Sequence, residues 1–241
     1  MKLAILTPTR GRPHRMKTFN DSVRSLANNN DNVIIYYYID NDDPKLEEYK
    51  TIDILHRDKS VFHVDIPQSI SISWNIIAKQ AIDDGADVLI MGNDDLVYET
   101  QNWDSLLEVE LQKFPDNIYC MWMNDRLAQG KWCAFPIVSK EWFNCLGYFT
   151  PGIFKFGYND TWVWDIGKKL NRCHYIPHII ARHDHISKNP KLMDDTYQRV
   201  RTGKQGNLFH KDGRIFTATE DDRIKEAQLL RELCQNESSN I

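Results

Sequence analysis

Residues 33–40 read Val-Ile-Ile-Tyr-Tyr-Tyr-Ile-Asp, seven consecutive apolar or aromatic residues that break off on a carboxylate and run into Asn41-Asp42-Asp43-Pro44. A run this long without polar alternation is how a strand covered on both faces reads. The same form occurs twice more: Leu3 to Leu6 is stopped by Thr7-Pro8-Thr9-Arg10, and Val88 to Met91 delivers Gly92-Asn93-Asp94-Asp95. Between these runs the apolar period changes to that of helices. Met16, Phe19, Val23 and Leu26 form one stripe, and Trp74, Ile77, Ala78, Ala81 and Ile82 form another after a loop bearing Ser69, Ser71 and Ser73. Val61 to Ile66 adds a further strand. Strands alternating with helices predict an α/β fold with a mixed, mainly parallel sheet flanked by helices, and in such sheets ligands bind outside the carboxyl ends of the strands.

The second half is more aromatic. A helix is expected from Trp103 to Phe114, strands over Ile118 to Met123 and Trp132 to Val138, a third strand from Tyr175 to Ala181, and helices over Asp160 to Leu170 and from Thr219 onward. Thr219 and Asp222 have capping-box spacing, with Ile224, Ala227 and Leu230 as the stripe behind them. A chain of 241 residues is long enough for one domain with a large core. We expect it over residues 1–190, in halves of about 1–98 and 99–190, with 191–241 a basic loop and helix packed on the same domain. Five cysteines without C-x-x-C spacing suggest neither a disulfide framework nor a thiolate zinc site, and fit a reducing, cytoplasmic compartment. No apolar run approaches a membrane span or a signal peptide, so membrane insertion is not expected.

Charge is segregated along the chain. Residues 1–30 carry six basic side chains, including Arg10, Arg12, Arg15 and Arg24, against one carboxylate; residues 83–110 carry nine carboxylates and no Lys or Arg. Most of these charges read as solvated helix faces. Asp94-Asp95 differs, because adjacent carboxylates at the end of a buried strand need a compensating cation or strong donors. Mg²⁺ or Mn²⁺ is the simplest compensator, and a turn in which Asp94 caps the next helix is the alternative. His183 and His185 alternate onto one face of an extended segment and could complete a metal shell. Asp160 stands among Phe156, Tyr158, Trp162 and Trp164, either as a helix cap or as a general base with a raised pKa. Trp132, Tyr158 and Trp162 are candidates for stacking on an acceptor, although such residues are also ordinary core. Arg201, Lys204 and Lys211 lie in a basic, glycine-bearing stretch from Arg199 to Arg214, suited to a lid over phosphates, a nucleic-acid contact or a plain surface loop.

Taken in order, Ile5-Leu6-Thr7-Pro8-Thr9-Arg10, Ile39-Asp40-Asn41-Asp42-Asp43, Trp74-Asn75, Gly92-Asn93-Asp94-Asp95, Asn159-Asp160 and His183-x-His185 resemble glycosyltransferase family 2, with its Rossmann-like GT-A fold, over about residues 1–190. The resemblance implies that Thr7, Pro8, Thr9 and Arg10 with Asp40 line a nucleoside pocket. Asp42, Asn75, Asn93 and Asp94 belong to the same nucleotide-binding set, and Arg15 approaches the diphosphate. Asn93-Asp94-Asp95 stands where the family has its DxD motif, with Asn93 in the place of the first Asp. Asp95 with His183 or His185 would hold the metal, Mn²⁺ or Mg²⁺, and Asp160 would be the catalytic base. The implied activity is metal-dependent, inverting transfer of a sugar from a nucleoside-diphosphate sugar, a UDP-sugar being favoured, to an acceptor hydroxyl.

A version without membrane segments also resembles small glycosyltransferases encoded by bacteriophages, some of which modify hydroxymethylated pyrimidines in DNA, so the cytoplasm of an infected bacterium is a candidate location. A formal net charge of −4 and the lack of a nucleic-acid module count against a DNA acceptor and leave surface glycans and small molecules beside it. Two rivals remain on the residues alone. One is a metal-dependent phosphohydrolase or nucleotidyltransferase built on Asp94, Asp95, His183 and His185. The other is a non-catalytic glycan-binding module using the Trp-rich middle.

Overall fold

The computed structural model describes residues 1–52, 59–196, 198 and 208–238. Its strands are β1 (Leu3–Thr9), β2 (Val33–Asp40), β3 (Ser60–Asp65), β4 (Val88–Met91), β5 (Leu96–Tyr98), β6 (Cys120–Asn124), β7 (Ile137–Ser139) and β8 (Cys173–His183). They form one eight-stranded sheet in the order β3-β2-β1-β4-β7-β6-β8-β5. The β3-β2-β1-β4 half is parallel; β7 runs antiparallel to β4 and β6, β8 is parallel to β6, and β5 is antiparallel to β8. The helices are α1 (Pro13–Leu26), α2 (Leu46–Tyr49), α3 (Ile70–Asp83), α4 (Trp103–Leu111), α5 (Lys140–Leu146), α6 (Asn159–Leu170), α7 (Leu208–Ala218) and α8 (Glu220–Ser238). This is the mixed, mainly parallel α/β architecture that the alternating pattern predicts.

The unbroken apolar runs follow from burial on both faces of the sheet. Ala4, Leu6, Tyr36, Tyr38, Leu89 and Met91 face a core shared with α3, α5, α6 and α8. Leu3, Ile5, Val33, Ile35, Tyr37, Ile39, Val88 and Ile90 face the other, with Met16, Phe19 and Val23 of α1 and Trp103 and Leu107 of α4. Period-2 alternation therefore assigns residues to two cores instead of to core and water. Pro13 opens α1 at a position where a missing N–H costs nothing, and Ser69 caps α3.

Several expectations are corrected. Of Trp132 to Val138 only the end is strand, because Gln129 and Gly130 sit at positive φ (49° and 77°) and Pro136 removes a donor, so residues 126–136 turn back on themselves. Thr219 does not cap α8: its hydroxyl donates backward to the Ile215 carbonyl at 2.7 Å, joining α7 to α8. Ile224 is half exposed, and the buried stripe of α8 is Arg223, Ala227, Leu230 and Cys234. The basic stretch is not wholly a loop, since α7 starts at Leu208 and carries Lys211 on its exposed side. Arg201 and Lys204 lie outside the described residues.

Nor are the charge blocks uniformly solvated. Arg24 is 4% exposed and donates to the carbonyls of Val33 (2.6 Å) and Lys59 (2.5 Å). Asp104 at the start of α4 accepts the backbone N–H groups of Asn28 (2.7 Å) and Asn29 (2.8 Å), satisfying the chain as it leaves α1. Asp104→Ala strands both donors in a part-buried site, and chemical denaturation should show a loss of about 1–3 kcal/mol.

Candidate active site

The carboxyl ends of β1, β2 and β4 open into a cleft of about 640 Å³. Its floor begins where β1 meets β4. A Cβ on Gly92 would stand 2.4 Å from the Thr7 hydroxyl and 2.8 Å from Ile5, so only glycine lets the chain leave β4 this close to β1. The next residues turn back over β1. Thr9 donates to Asp94 Oδ2 at 2.7 Å and Arg12 Nη1 to Asp94 Oδ1 at 3.1 Å, so both carboxylate oxygens of Asp94 are engaged. Arg12 also lies 3.9 Å from Asp95 and donates its other nitrogen to Asp194 at 2.9 Å. All of Arg12, Asp94 and Asp95 are at most 5% exposed. Burial pushes the Asp94 carboxyl above its ordinary range, and the guanidinium opposes that.

Arg12 is the residue that the sequence reading missed. It is one of three arginines in six residues, and nothing local separates it from Arg10 and Arg15. The loop itself aims it: Asp43 accepts Gly11 N–H at 2.7 Å, and the Tyr49 hydroxyl accepts Arg12 N–H at 2.7 Å. Gly11 takes φ +70°, a left-handed conformation suited to glycine. Arg10 points the other way, to Asp40 at 2.7 Å and to Asp42.

Strand pairing brings in the histidine. Leu96 of β5 opposes His183 of β8, and Asp184 N–H donates to the Asp95 carbonyl at 2.8 Å. That register sets His183 Nε2 3.4 Å from Asp95 Oδ1, with the Phe135 ring edge-on to the imidazole. His185 lies alongside, ring centroids 5.1 Å apart, its Nδ1 bonded to Ser187. Carboxylate oxygen and imidazole nitrogen suit Mn²⁺ or Mg²⁺. Among the described residues no three His, Cys, Asp or Glu side chains converge as a cage. Were such a cation bound here, Asp95 and His183 are the side chains placed to hold it.

Across the cleft, Asp160 occupies the first turn of α6 and is not its cap; Tyr158 stands at the cap with φ 67°. Burial pushes the Asp160 carboxyl up to about 6, opposed by hydrogen bonds from Thr161 and by the nearby His183. Asn159 beside it is 2% exposed, and its amide meets the Ser71 hydroxyl. Trp132, Phe156 and Phe209 stand at the rim with 36–49% exposure.

Of the residues expected at a site, Pro8, Thr9, Arg10, Asp40, Asn93, Asp94, Asp95, Trp132, Tyr158, Asp160, His183 and His185 line this one cleft. Others lie elsewhere. Thr7 packs on Gly92, and Asp42 holds Arg10 from outside. Asn75 clamps Phe149 and Thr150 by three backbone hydrogen bonds. Arg15 borders an adjoining cavity of about 300 Å³ that Asp94 and Asp95 also line, and donates to the Leu192 carbonyl. Trp162 is 2% exposed, and its indole N–H donates to Glu226 at 2.9 Å, so it is core and not an acceptor platform. Lys211 is on the outer side of α7, away from the cleft.

No protein-family model and no curated protein matches the sequence. Solved structures do match the fold. The mannosyltransferase PcManGT from Pyrobaculum calidifontis, solved with GDP-Man and Mn²⁺, superposes with a TM-score of 0.62 at 10% identity, over 98% of this chain and 73% of that one. S. aureus TarS 1–349 with UDP gives 0.57 at 10% identity, over 100% and 92%. The same TarS segment with UDP-GlcNAc gives 0.56 at 12%, over 77% and 59%. At these identities the likeness establishes the architecture these glycosyltransferases share. No described helix is long and apolar enough to cross a membrane.

Two electrostatic outcomes follow. Arg12→Met leaves two buried carboxylates without their cation and should cost about 3–5 kcal/mol near pH 7.5 by denaturant titration, the loss shrinking in acid as the carboxyls protonate. Asp160→Asn should do the reverse. With the folded carboxyl raised from 3.8 to about 6, the charged form is the disfavoured one. Its penalty is absent below about pH 4 and complete above about pH 6, so the variant should gain roughly 1–3 kcal/mol at pH 7.5 and nothing at pH 4, read as a melting shift.

Proposed function

We propose that this protein is a metal-dependent inverting glycosyltransferase that moves a sugar from a nucleoside-diphosphate sugar to an acceptor hydroxyl. One observation carries the reading: the Asp95–His183 pair and the raised-pKa carboxyl of Asp160 line the same cleft, in a fold shared with enzymes solved with GDP-Man and Mn²⁺ or with UDP-GlcNAc. A hydrolase or nucleotidyltransferase needs no carboxyl of raised pKa on the far wall. A glycan-binding module needs neither that carboxyl nor the buried acidic pair.

In this reading the nucleoside lies over the ends of β1 and β2, between Pro8, Tyr38, Asp40 and the Arg10 guanidinium. Asp95 and His183 would hold Mn²⁺ or Mg²⁺, which would supply positive charge to neutralise the departing diphosphate. Asp94, with both oxygens engaged, orients the loop instead of ligating. Asp160 accepts the proton from the acceptor hydroxyl as that oxygen attacks the anomeric carbon from the side opposite the leaving group, and a single displacement inverts the configuration. A carboxyl titrating near 6 is ionised at neutral pH and is a stronger base than an ordinary aspartate. The exposed rings of Trp132, Phe156 and Phe209 favour an acceptor with a stackable face, which sugars and nucleobases both offer.

The first measurement is thermal stability with UDP, GDP, ADP and CMP, each with and without Mn²⁺. A diphosphate at about 100 times its dissociation constant should add roughly 2.7 kcal/mol in the wild type and lose its metal-dependent part in Asp95→Ala. Stabilisation by free glycans alone, with none from nucleotides, would transfer the cleft to the binding-module reading. With the donor named, glycans, small hydroxylated molecules and hydroxymethylated-pyrimidine DNA form the acceptor panel. Asp160→Asn should then lower turnover at least 10²-fold with nucleotide binding intact.

A further inference from the structure

Asp212 is 1% exposed, on a helix whose other charged side chains face solvent, and its hydrogen-bond partners among the described residues are backbone N–H groups of one short segment. Its Oδ1 accepts Lys155 N–H at 3.2 Å, and its Oδ2 accepts Lys155, Phe156 and Gly157 N–H at 3.1, 2.8 and 2.9 Å. Three successive amides converging on one carboxylate form a concave anion nest, filled here by a side chain 55 residues further along the chain. The residue after the nest is Tyr158, whose left-handed φ of 67° is unusual for a bulky side chain and requires surrounding structure to hold it. After Tyr158 the chain enters α6, and Asp160 follows in the first turn.

The packing repeats the same attachment. Tyr158 lies between Phe209 and Phe216 of α7, ring centroids 5.0 and 5.3 Å away. Both glycines at the contact are forced by proximity: a Cβ on Gly157 would meet the Phe209 ring at 2.6 Å, and one on Gly213 would meet the Tyr158 hydroxyl at 2.8 Å. A capped turn near the surface needs none of this. The segment 155–161 lines the cleft, so its conformation sets where the Asp160 carboxyl stands.

We infer that Asp212 is a positioning residue: by holding the 155–157 amides it locks Tyr158 left-handed and fixes the start of α6, which aims Asp160 at the acceptor hydroxyl. The catalytic consequence rests on the glycosyltransferase reading; the mechanical one does not. Among the described residues, the hydrogen bonds of Asp212 go to the 155–157 amides and none to the nucleotide side. Its loss should therefore act on the reaction and not on donor binding.

The test uses the full chain and two readouts. Hydrogen exchange over 153–162 should speed up at least tenfold in Asp212→Asn, which keeps the size and one acceptor oxygen but loses the charge and the second acceptor, while exchange over β2 stays unchanged. Turnover of the stabilising nucleotide sugar should fall about 10- to 100-fold in kcat, with its KM within twofold of wild type. Gly213→Ala, which keeps the carboxylate and displaces Tyr158, should reproduce the kcat-selective loss even if Asp212→Asn folds poorly. Asp212→Glu should recover part of it. Unchanged exchange over 153–162, or fast exchange with wild-type kcat, overturns the assignment of Asp212. A wild-type protein that turns over no nucleotide sugar overturns the transferase reading instead, and the exchange result still decides whether Asp212 holds the wall.

Discussion

Two adjacent aspartates cannot be buried at a strand end without a cation, and in this protein the guanidinium of Arg12 is built in to meet them. Arg12 reaches Asp94 at 3.1 Å and Asp95 at 3.9 Å while also holding Asp194 at 2.9 Å. One side chain thereby ties the end of β1, the end of β4 and the segment beyond β8. The ordering of the loop around it, with Gly11 held by Asp43 and Arg12 N–H by Tyr49, is what places the charge. Because Arg12 and Thr9 occupy both oxygens of Asp94, the two aspartates are chemically unequal. Asp95 is the one set against His183.

The site joins two differently built walls. The nucleotide side rises from the ends of parallel strands, where each apolar run must surface in polar residues. The opposite wall is a loop and the start of α6, which packs on β6 and β8 through Gly167 and is tied to α3 through the Ser71 hydroxyl. Further support comes from the C-terminal helices. Asp212 binds the loop amides, and Arg223 of α8, buried against the Phe216 ring at 3.8 Å, bonds Asp165 of α6 at 2.7 Å. Glu226 takes the Trp162 indole N–H. A wall held by charged side chains inserted from a later segment can be accurate without being thick.

The legible part of the chain is the part where local chemistry and burial agree. The runs at 33–39 and 88–91, the stripes of α1 and α3, and the carboxylates and histidines at strand ends all declare themselves, because one pattern explains each. Arg12 was not legible, since its importance depends on which carboxylates a glycine turn brings within reach. Trp162 and Asn75 read like site residues and are framework. An indole N–H or a side-chain amide looks the same in sequence whether it meets a ligand or a backbone carbonyl. Asp212 sits in an amphipathic stretch where an aspartate normally means solvent.

The sequence by itself determined the α/β class and the positions where polar residues end buried strands, because hydrophobic periodicity and strand termination are local properties. It also determined a candidate set in which Asp95, Asp160 and His183 could meet. Only the tertiary structure decided that they do: the antiparallel pairing of β5 with β8 sets His183 beside Asp95, and the C-terminal helices carry the wall that brings Asp160 to the same cleft. Those are contacts between residues 55 to 88 positions apart, made by register and by packing against a later segment, which no local pattern encodes.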